Sequence, residues 1–280
     1  MRNFTFKGQL LTAVFMLLGC LSIQAANDDL ITKQITINLD KAGTLPNKIA
    51  SSEMYKITNL KIIGEINGTD WNMIREMAGR DNRGYGTEGK LSVLDLSEAK
   101  IVKGGDSYYP GDNCYTSNDE IGEKAFTDCS RLTSLTLPVG ITSIGYDAFA
   151  YCSGLTSLTL PAGITSIGEF AFSYCSGLTS IYVYAEKVPR IGSYAFEGCA
   201  SRKCTLYVPK GTYDNYRLSE FGYFENIVEF DATGIDKTTT STDVEEVSRY
   251  SLNGQRLAVP VKGLNIVKYS DGSVKKVVVL

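Results

Sequence analysis

Ile144-Gly145-Tyr146-Asp147-Ala148-Phe149-Ala150-Tyr151-Cys152 is followed, at an interval of 23 residues, by Ile167-Gly168-Glu169-Phe170-Ala171-Phe172-Ser173-Tyr174-Cys175. The same Ile-Gly-x-x-Ala-Phe-x-x-Cys unit starts 23 residues earlier at Ile121 and returns 24 residues later at Ile191. A fixed period in the twenties marks a solenoid. Each unit is one supersecondary element that cannot bury its apolar face alone, so a core exists only where neighbours stack. Function is therefore expected on a surface.

Between the units, Leu155-Thr156-Ser157-Leu158-Thr159-Leu160-Pro161 has the L-x-x-L-x-L spacing of the strand that lines a leucine-rich repeat sheet, with the leucines pointing inward. Pro161 has no amide hydrogen and a fixed φ, so it ends the strand and turns the chain into the returning segment 164–168. Ala171, Phe172 and Cys175 close the coil. About six apolar side chains recur per coil, each contributing roughly 1.5–3 kcal/mol when buried, so repetition alone can supply a core.

The template extends in both directions. Residues 57–62 and 91–96 carry the strand pattern without the Ala-Phe-Cys half, as an irregular N-terminal cap would. Residues 132–137, 178–183 and 204–209 add strands, and the amphipathic stretch 213–224 reads as a C-terminal cap. The expected fold is a β-rich α/β class: a right-handed leucine-rich repeat solenoid of about six parallel strands, capped at its N-terminus and followed by a small C-terminal β module. At about 4.8 Å between strands, such a sheet is roughly 25–30 Å long, enough for one partner surface.

The unit Ile-Gly-x-x-Ala-Phe-x-x-Cys-x-x-Leu-x-x-Leu-x-Leu-Pro resembles the BspA-type leucine-rich repeat of bacterial surface proteins, specifically over 121–209. That resemblance implies adhesion and binding of host matrix proteins; the expected location is extracellular or the outer-membrane surface, and a microbial surface protein is the other expected protein ligand. The resemblance says little about which partner, because function lives in sites grafted on a fold.

The two ends carry an address. Arg2 and Lys7, the apolar run 10–21 and the small-residue end Ile23-Gln24-Ala25 read as a secretory signal peptide over 1–25, too short to span a membrane as a stable anchor. Leu17-Leu18-Gly19-Cys20 resembles a lipobox, which would make Cys20 a lipidated N-terminus; both readings stand. The cap and irregular repeats then occupy 26–120, the regular repeats and C-terminal cap 121–230, and a polar linker 231–248. Residues 249–280 hold three strand-like runs with hairpin signals at Asn253-Gly254 and Asp271-Gly272. This tail resembles a shortened type IX secretion sorting domain, and it reads equally well as an accessory sheet.

Composition narrows the chemistry. With no histidine there is no Ser-His or Cys-His dyad and no His-supported zinc site, and a net charge of −3 without a basic cluster excludes a nucleic-acid footprint. The best carboxylate candidates are Asp95, Glu98, Asp106, Asp112, Asp119 and Glu120, but acids among Gly104-Gly105 and Pro110-Gly111 solvate a loop and match no calcium-loop spacing. No enzyme, cofactor or metal site is expected. Cys129, Cys152, Cys175 and Cys199 follow the repeat and are expected as a reduced packing column, since stacked equivalents present parallel rather than facing side chains; a bridge at Cys114 or Cys204 stays open. The sequon Asn67-Gly68-Thr69 is read as coincidence and Trp71 as a packing residue of the cap.

The outward positions of successive strands give the candidate binding row: Asn59 and Lys61, Val93 and Asp95, Ser134 and Thr136, Ser157 and Thr159, Ser180 and Tyr182, Thr205 and Tyr207. The row passes from charged to hydroxyl-rich to aromatic. Solenoids use such extended faces for partners, and Tyr is favoured at interfaces, so the ligand-binding assignment falls on Ser157, Thr159, Ser180, Tyr182, Thr205 and Tyr207. Thr and Tyr also simply suit exposed strand positions. A protein ligand is expected, with a glycan as the alternative and a membrane engaged only through a lipid anchor or the sorting tail. Tyr146, Tyr151, Tyr174 and Tyr194 fall on the opposite turns and read as packing or solubility residues.

Overall fold

Two rows of parallel strands, one long and one short, wind through this chain. The computed structural model describes residues 30–109, 114–232, 246–251, 256–257, 263–269 and 274–279. The segment read as a signal peptide with its Cys20, Asp112, residues 233–245 of the expected linker and both hairpin-turn dipeptides of the tail lie outside the described residues.

The long sheet has eight parallel strands: β1 (Ile35–Leu39), β2 (Asn59–Ile66), β3 (Val93–Ile101), β5 (Ser134–Thr136), β7 (Ser157–Leu160), β9 (Ser180–Val183), β11 (Thr205–Pro209) and β12 (Asn226–Phe230), in that spatial order. The returning segments pair as a second parallel sheet of two-residue strands: β4 (Glu120–Ile121), β6 (Ser143–Ile144), β8 (Ser166–Ile167) and β10 (Arg190–Ile191). Helix α1 (Gly68–Met77) follows β2, and α2 (Tyr213–Arg217) follows β11. The chain is a leucine-rich repeat α/β solenoid with a small antiparallel C-terminal sheet, ordered β14 (Arg256–Leu257), β13 (Glu246–Ser251), β15 (Gly263–Tyr269), β16 (Val274–Val279). The long sheet holds two strands more than the repeat template gives. β1 and β12 are end strands whose partner lies on one side only, so their sequences carry the alternation of a strand without the full leucine pattern.

Register explains why the period is so strict. Ser157 pairs with Ser180 and Ile144 with Ile167, each one period apart, so every core residue meets its own equivalent. The result is a column of rings: Phe126, Phe149, Phe172 and Phe196 are all buried, with successive centroids 5.3, 5.0 and 5.4 Å apart and planes within 14° of parallel. The column is closed at both ends. Trp71 of α1 lies 5.1 Å from Phe126, and Phe221 and Phe224 lie 5.5 and 5.1 Å from Phe196.

The backbone shows the same closure. Phe126, Phe149 and Phe172 donate their amides to Ala148, Ala171 and Ala195 of the next coil, each at 2.7 Å. Ala125 has no preceding coil of this kind, and its carbonyl accepts instead from Trp71 Nε1 at 3.0 Å and Arg75 Nη1 at 2.8 Å. Helix α1 therefore acts as a surrogate coil. Its own start is fixed by Asn67, whose side chain accepts from Thr69 N, while buried Asp70 accepts from Asn67 N, Gly43 N and Leu45 N. The sequon asparagine is a helix cap in the fold.

The cysteines form the expected column, with a bond that the repeat pattern alone does not show. Cys152, Cys175 and Cys199 donate Sγ–H to the carbonyls of Phe126, Phe149 and Phe172 at 3.0, 3.1 and 3.2 Å. The six described cysteines, Cys114 and Cys204 among them, are unbridged thiols. Burial pushes the Cys129 and Cys204 thiols up to about 11 and Cys199 up to about 12. The motif glycine is fixed by closeness of coils: a Cβ on Gly168 would sit 2.6 Å from the backbone carbon of Gly145, and one on Gly192 would sit 2.3 Å from Glu169 N.

Candidate binding face on the long sheet

In a parallel sheet with two-residue alternation, inward Leu and Ile fix the outward positions between them. Ser134, Ser157, Ser180, Thr205 and Asn226 form one column, and Asp95, Thr136 form the start of a second that continues through Thr159, Tyr182, Tyr207 and Val228. All six predicted ligand-binding residues share this face and are half-buried. Ser180 Oγ donates to Ser157 Oγ at 3.0 Å, and Tyr182 stacks on Tyr207 with centroids 4.3 Å apart and planes 5° from parallel.

The face carries two aromatic residues that the repeat template misses. Tyr184, two residues after Tyr182 and so on the same side, meets the edge of Phe230 at 5.1 Å, and Phe230 also meets Tyr182 at 6.0 Å. Tyr184 falls just beyond the L-x-x-L-x-L frame and Phe230 ends an untemplated strand. Outward alternation from Asn226 through Val228 to Phe230 was the signal available. Burial and the neighbouring Tyr207 push Tyr182 up to about 12, and burial, with a smaller contribution from Tyr182, does the same for Tyr184. Lys276 of β16 sits 3.7 Å from the centre of the Tyr184 ring, and burial lowers its ammonium to about 8.

At the other end one lysine meets two acids. Lys61 lies 3.2 Å from Asp95 and 2.7 Å from Glu98, so the strongest carboxylate candidate is already an ion-pair partner. Asp106 accepts from Thr69 Oγ1 at 2.8 Å, away from that pair, and Glu120 starts β4 on the short sheet. The acids are thus spread over both sheets and a loop. Among the described residues no group of three Cys, Asp or Glu side chains could hold a metal ion, and no helix is long and apolar enough to cross a membrane.

Residues 113–216 match the family model for a BspA type Leucine rich repeat region, in 6 copies. These BspA-type repeats mark a protein-binding repeat domain. Their span covers the coils of the ring column and the Ser157–Tyr207 face, and leaves β1 to β3, β12 and the C-terminal sheet outside. No curated protein matches the chain.

Proposed function

We propose that this is a non-catalytic binding protein, exported to the cell surface or released, that captures a host or microbial protein on the long sheet. The docking end is the cluster Tyr182, Tyr184, Tyr207 and Phe230, flanked by the hydroxyls of Ser157, Thr159, Ser180 and Thr205. The observation that carries this reading is the Tyr182–Tyr207 stack beside a serine column on one continuous parallel face. Stacked rings lose little entropy on binding and present apolar edges with polar tips, which suits a protein ligand. Two rings lying face to face hide one side of each from a sugar, and Phe230 packs its edge against Tyr182, so the glycan reading is the weaker one.

Export rests on the resemblance of residues 1–25 to a signal peptide and on the surface location usual for proteins with BspA-type repeats. The C-terminal sheet fits a sorting module and an accessory sheet alike; secretion of a chain lacking 249–280 from its native host decides between them. The binding claim is tested with a matrix-protein panel and a glycan array probed with the full mature chain. Protein capture that falls about tenfold or more in Tyr182→Ala/Tyr207→Ala supports it, at about 1.4 kcal/mol per decade. Undiminished capture by that variant, or glycan binding alone, overturns it.

A further inference from the structure

The repeat unit has four variable positions on its turns, and two of them in each coil adopt left-handed backbone. Lys124, Asp147, Phe170 and Tyr194 (φ 55°, 53°, 55° and 59°) form one column; Asp128, Tyr151, Tyr174 and Gly198 (φ 62°, 61°, 56° and 72°) form the other. This geometry aims amides at the next coil: Lys124, Asp128, Tyr151 and Tyr174 N–H bond to Tyr146, Ala150, Ser173 and Glu197 carbonyls at 2.6–2.9 Å. The backbone thus requires the conformation but not the aromatic side chains, for which Gly or Asn would be the undemanding choice.

Aromatic side chains at these positions, joined by Tyr146 at a variable position outside the two columns, build a second aromatic array on the turns between the two sheets. Tyr151 stacks on Tyr174 at 4.9 Å, while Tyr146, Phe170 and Tyr194 form a continuous row with centroids 6.0 and 5.3 Å apart. The four tyrosines are 40–63% exposed, Tyr194 most of all, and among the described residues no ring covers the outer face of Tyr194. The variable positions of the four units also hold five carboxylates, Glu123, Asp128, Asp147, Glu169 and Glu197, against the single amine of Lys124, a net −4 in a chain whose total is −3. Arg80 approaches Asp128 at 3.9 Å and takes part of that charge. One cation already uses the array: Lys124 Nζ lies 5.9 Å from the Tyr146 ring and 5.2 Å from Tyr109.

We propose that this turn face is a second docking surface, independent of the long sheet, for an arginine-rich segment of a partner protein. Aromatic faces and edges flanked by carboxylates match a guanidinium, which stacks on rings and bonds to carboxylates in one plane. An ammonium is a compact point charge and gains less from the same surface.

The test uses fluorescently labelled octa-arginine and octa-lysine peptides, titrated by anisotropy against the full mature chain. Octa-arginine is expected to bind more tightly than octa-lysine. Tyr151→Asn/Tyr194→Asn, which keeps residues tolerant of positive φ, should weaken octa-arginine by about tenfold while the arginine preference disappears. Glu169→Gln/Glu197→Gln keeps the rings and should reduce the salt dependence of binding. Tyr182→Ala/Tyr207→Ala should leave octa-arginine binding unchanged. Equal affinity for the two peptides, full binding by the Tyr151→Asn/Tyr194→Asn chain, or loss of binding in the sheet-face variant would each overturn the proposal.

Discussion

Replacing Phe172 by Ala tests the stacked core most directly. The ring is buried without solvent exposure, lies 5.0 Å from Phe149 and 5.4 Å from Phe196, and belongs to the third of the four full units. Losing a buried Phe costs about 3–5 kcal/mol, combining the transfer free energy with the cavity left behind. Each flanking stack contributes about 0.5–1.5 kcal/mol of that. Relaxation is hindered because both neighbouring rings are held by coils bonded through their backbones. For a solenoid of this size each kcal/mol shifts the midpoint by about 2–4 °C, so the variant should melt about 6–20 °C lower. Phe172→Leu, which restores most of the volume but neither stack, should recover about half the loss. Differential scanning calorimetry of both variants, with Leu218→Ala at a site 79% exposed as the reference, reads the effect. A Phe172→Ala midpoint indistinguishable from that of Leu218→Ala would refute a shared dry interior.

Three further outcomes follow from the same geometry. Gly168→Ala places a methyl 2.6 Å from the Gly145 backbone and should cost more than the gain of about 0.4–1 kcal/mol that Gly→Ala gives at unstrained sites; a variant at least as stable as the parent in urea titration would contradict the close approach. Trp71→Leu removes the donor at 3.0 Å to Ala125 O and the ring that ends the Phe column, so it should destabilise by about 3 kcal/mol, and hydrogen exchange should quicken first at the Phe126 coil rather than at the Phe196 end. Alkali should destabilise the protein: burial pushes Cys129 and Cys204 up to about 11 and Cys199, Tyr182 and Tyr184 up to about 12, above the ordinary 9 for Cys and 10 for Tyr, so the fold holds protons that the unfolded chain has released. Stability should be intact below about pH 9 and fall up to about pH 12, at up to about 1.4 kcal/mol per pH unit for each buried thiol and less for the half-buried tyrosines, and Cys129→Ala/Cys204→Ala should flatten the first part of that fall in thermal melts taken from pH 8 to 11.

How much was legible in sequence depended on whether a residue sits inside the period. Phe126 to Phe196, the cysteine column and the six sheet-face residues are spaced by the repeat, and a repeat that pairs with itself in register can place them only in columns. Capping residues have no such constraint. Arg75 and Trp71 end the array by filling a carbonyl that an absent coil would have used, which is a tertiary event without a periodic signature. The local signal for their helix was present in Asn67-Gly68-Thr69-Asp70, where asparagine three residues before an acid precedes the apolar run from Trp71; the capping box outranks the sequon reading. Tyr184 lies one step past the template and Phe230 on a strand the template does not contain, although two-residue alternation reaches both.

The left-handed turns separate what stability demands from what it leaves free. A non-glycine residue at positive φ costs about 1–2 kcal/mol, with Asn paying less because its short side chain tolerates that region. Tyr174 sits there at φ 56°, its ring filling the space between Tyr151 at 4.9 Å and Gly198, where any added Cβ would meet the ring at 2.6 Å. The stack returns about 0.5–1.5 kcal/mol, close to what the backbone conformation costs, so Tyr174→Asn should leave the melting midpoint within about 3 °C of the parent. A residue kept by the core would instead show the loss expected of Phe172. If Tyr174→Asn melts as low as Phe172→Ala, the turn-face rings are structural and their exposure needs no partner to explain it. A near-neutral result leaves the backbone and core indifferent to the ring, and an exposed aromatic row that neither of them needs is what a binding surface would display.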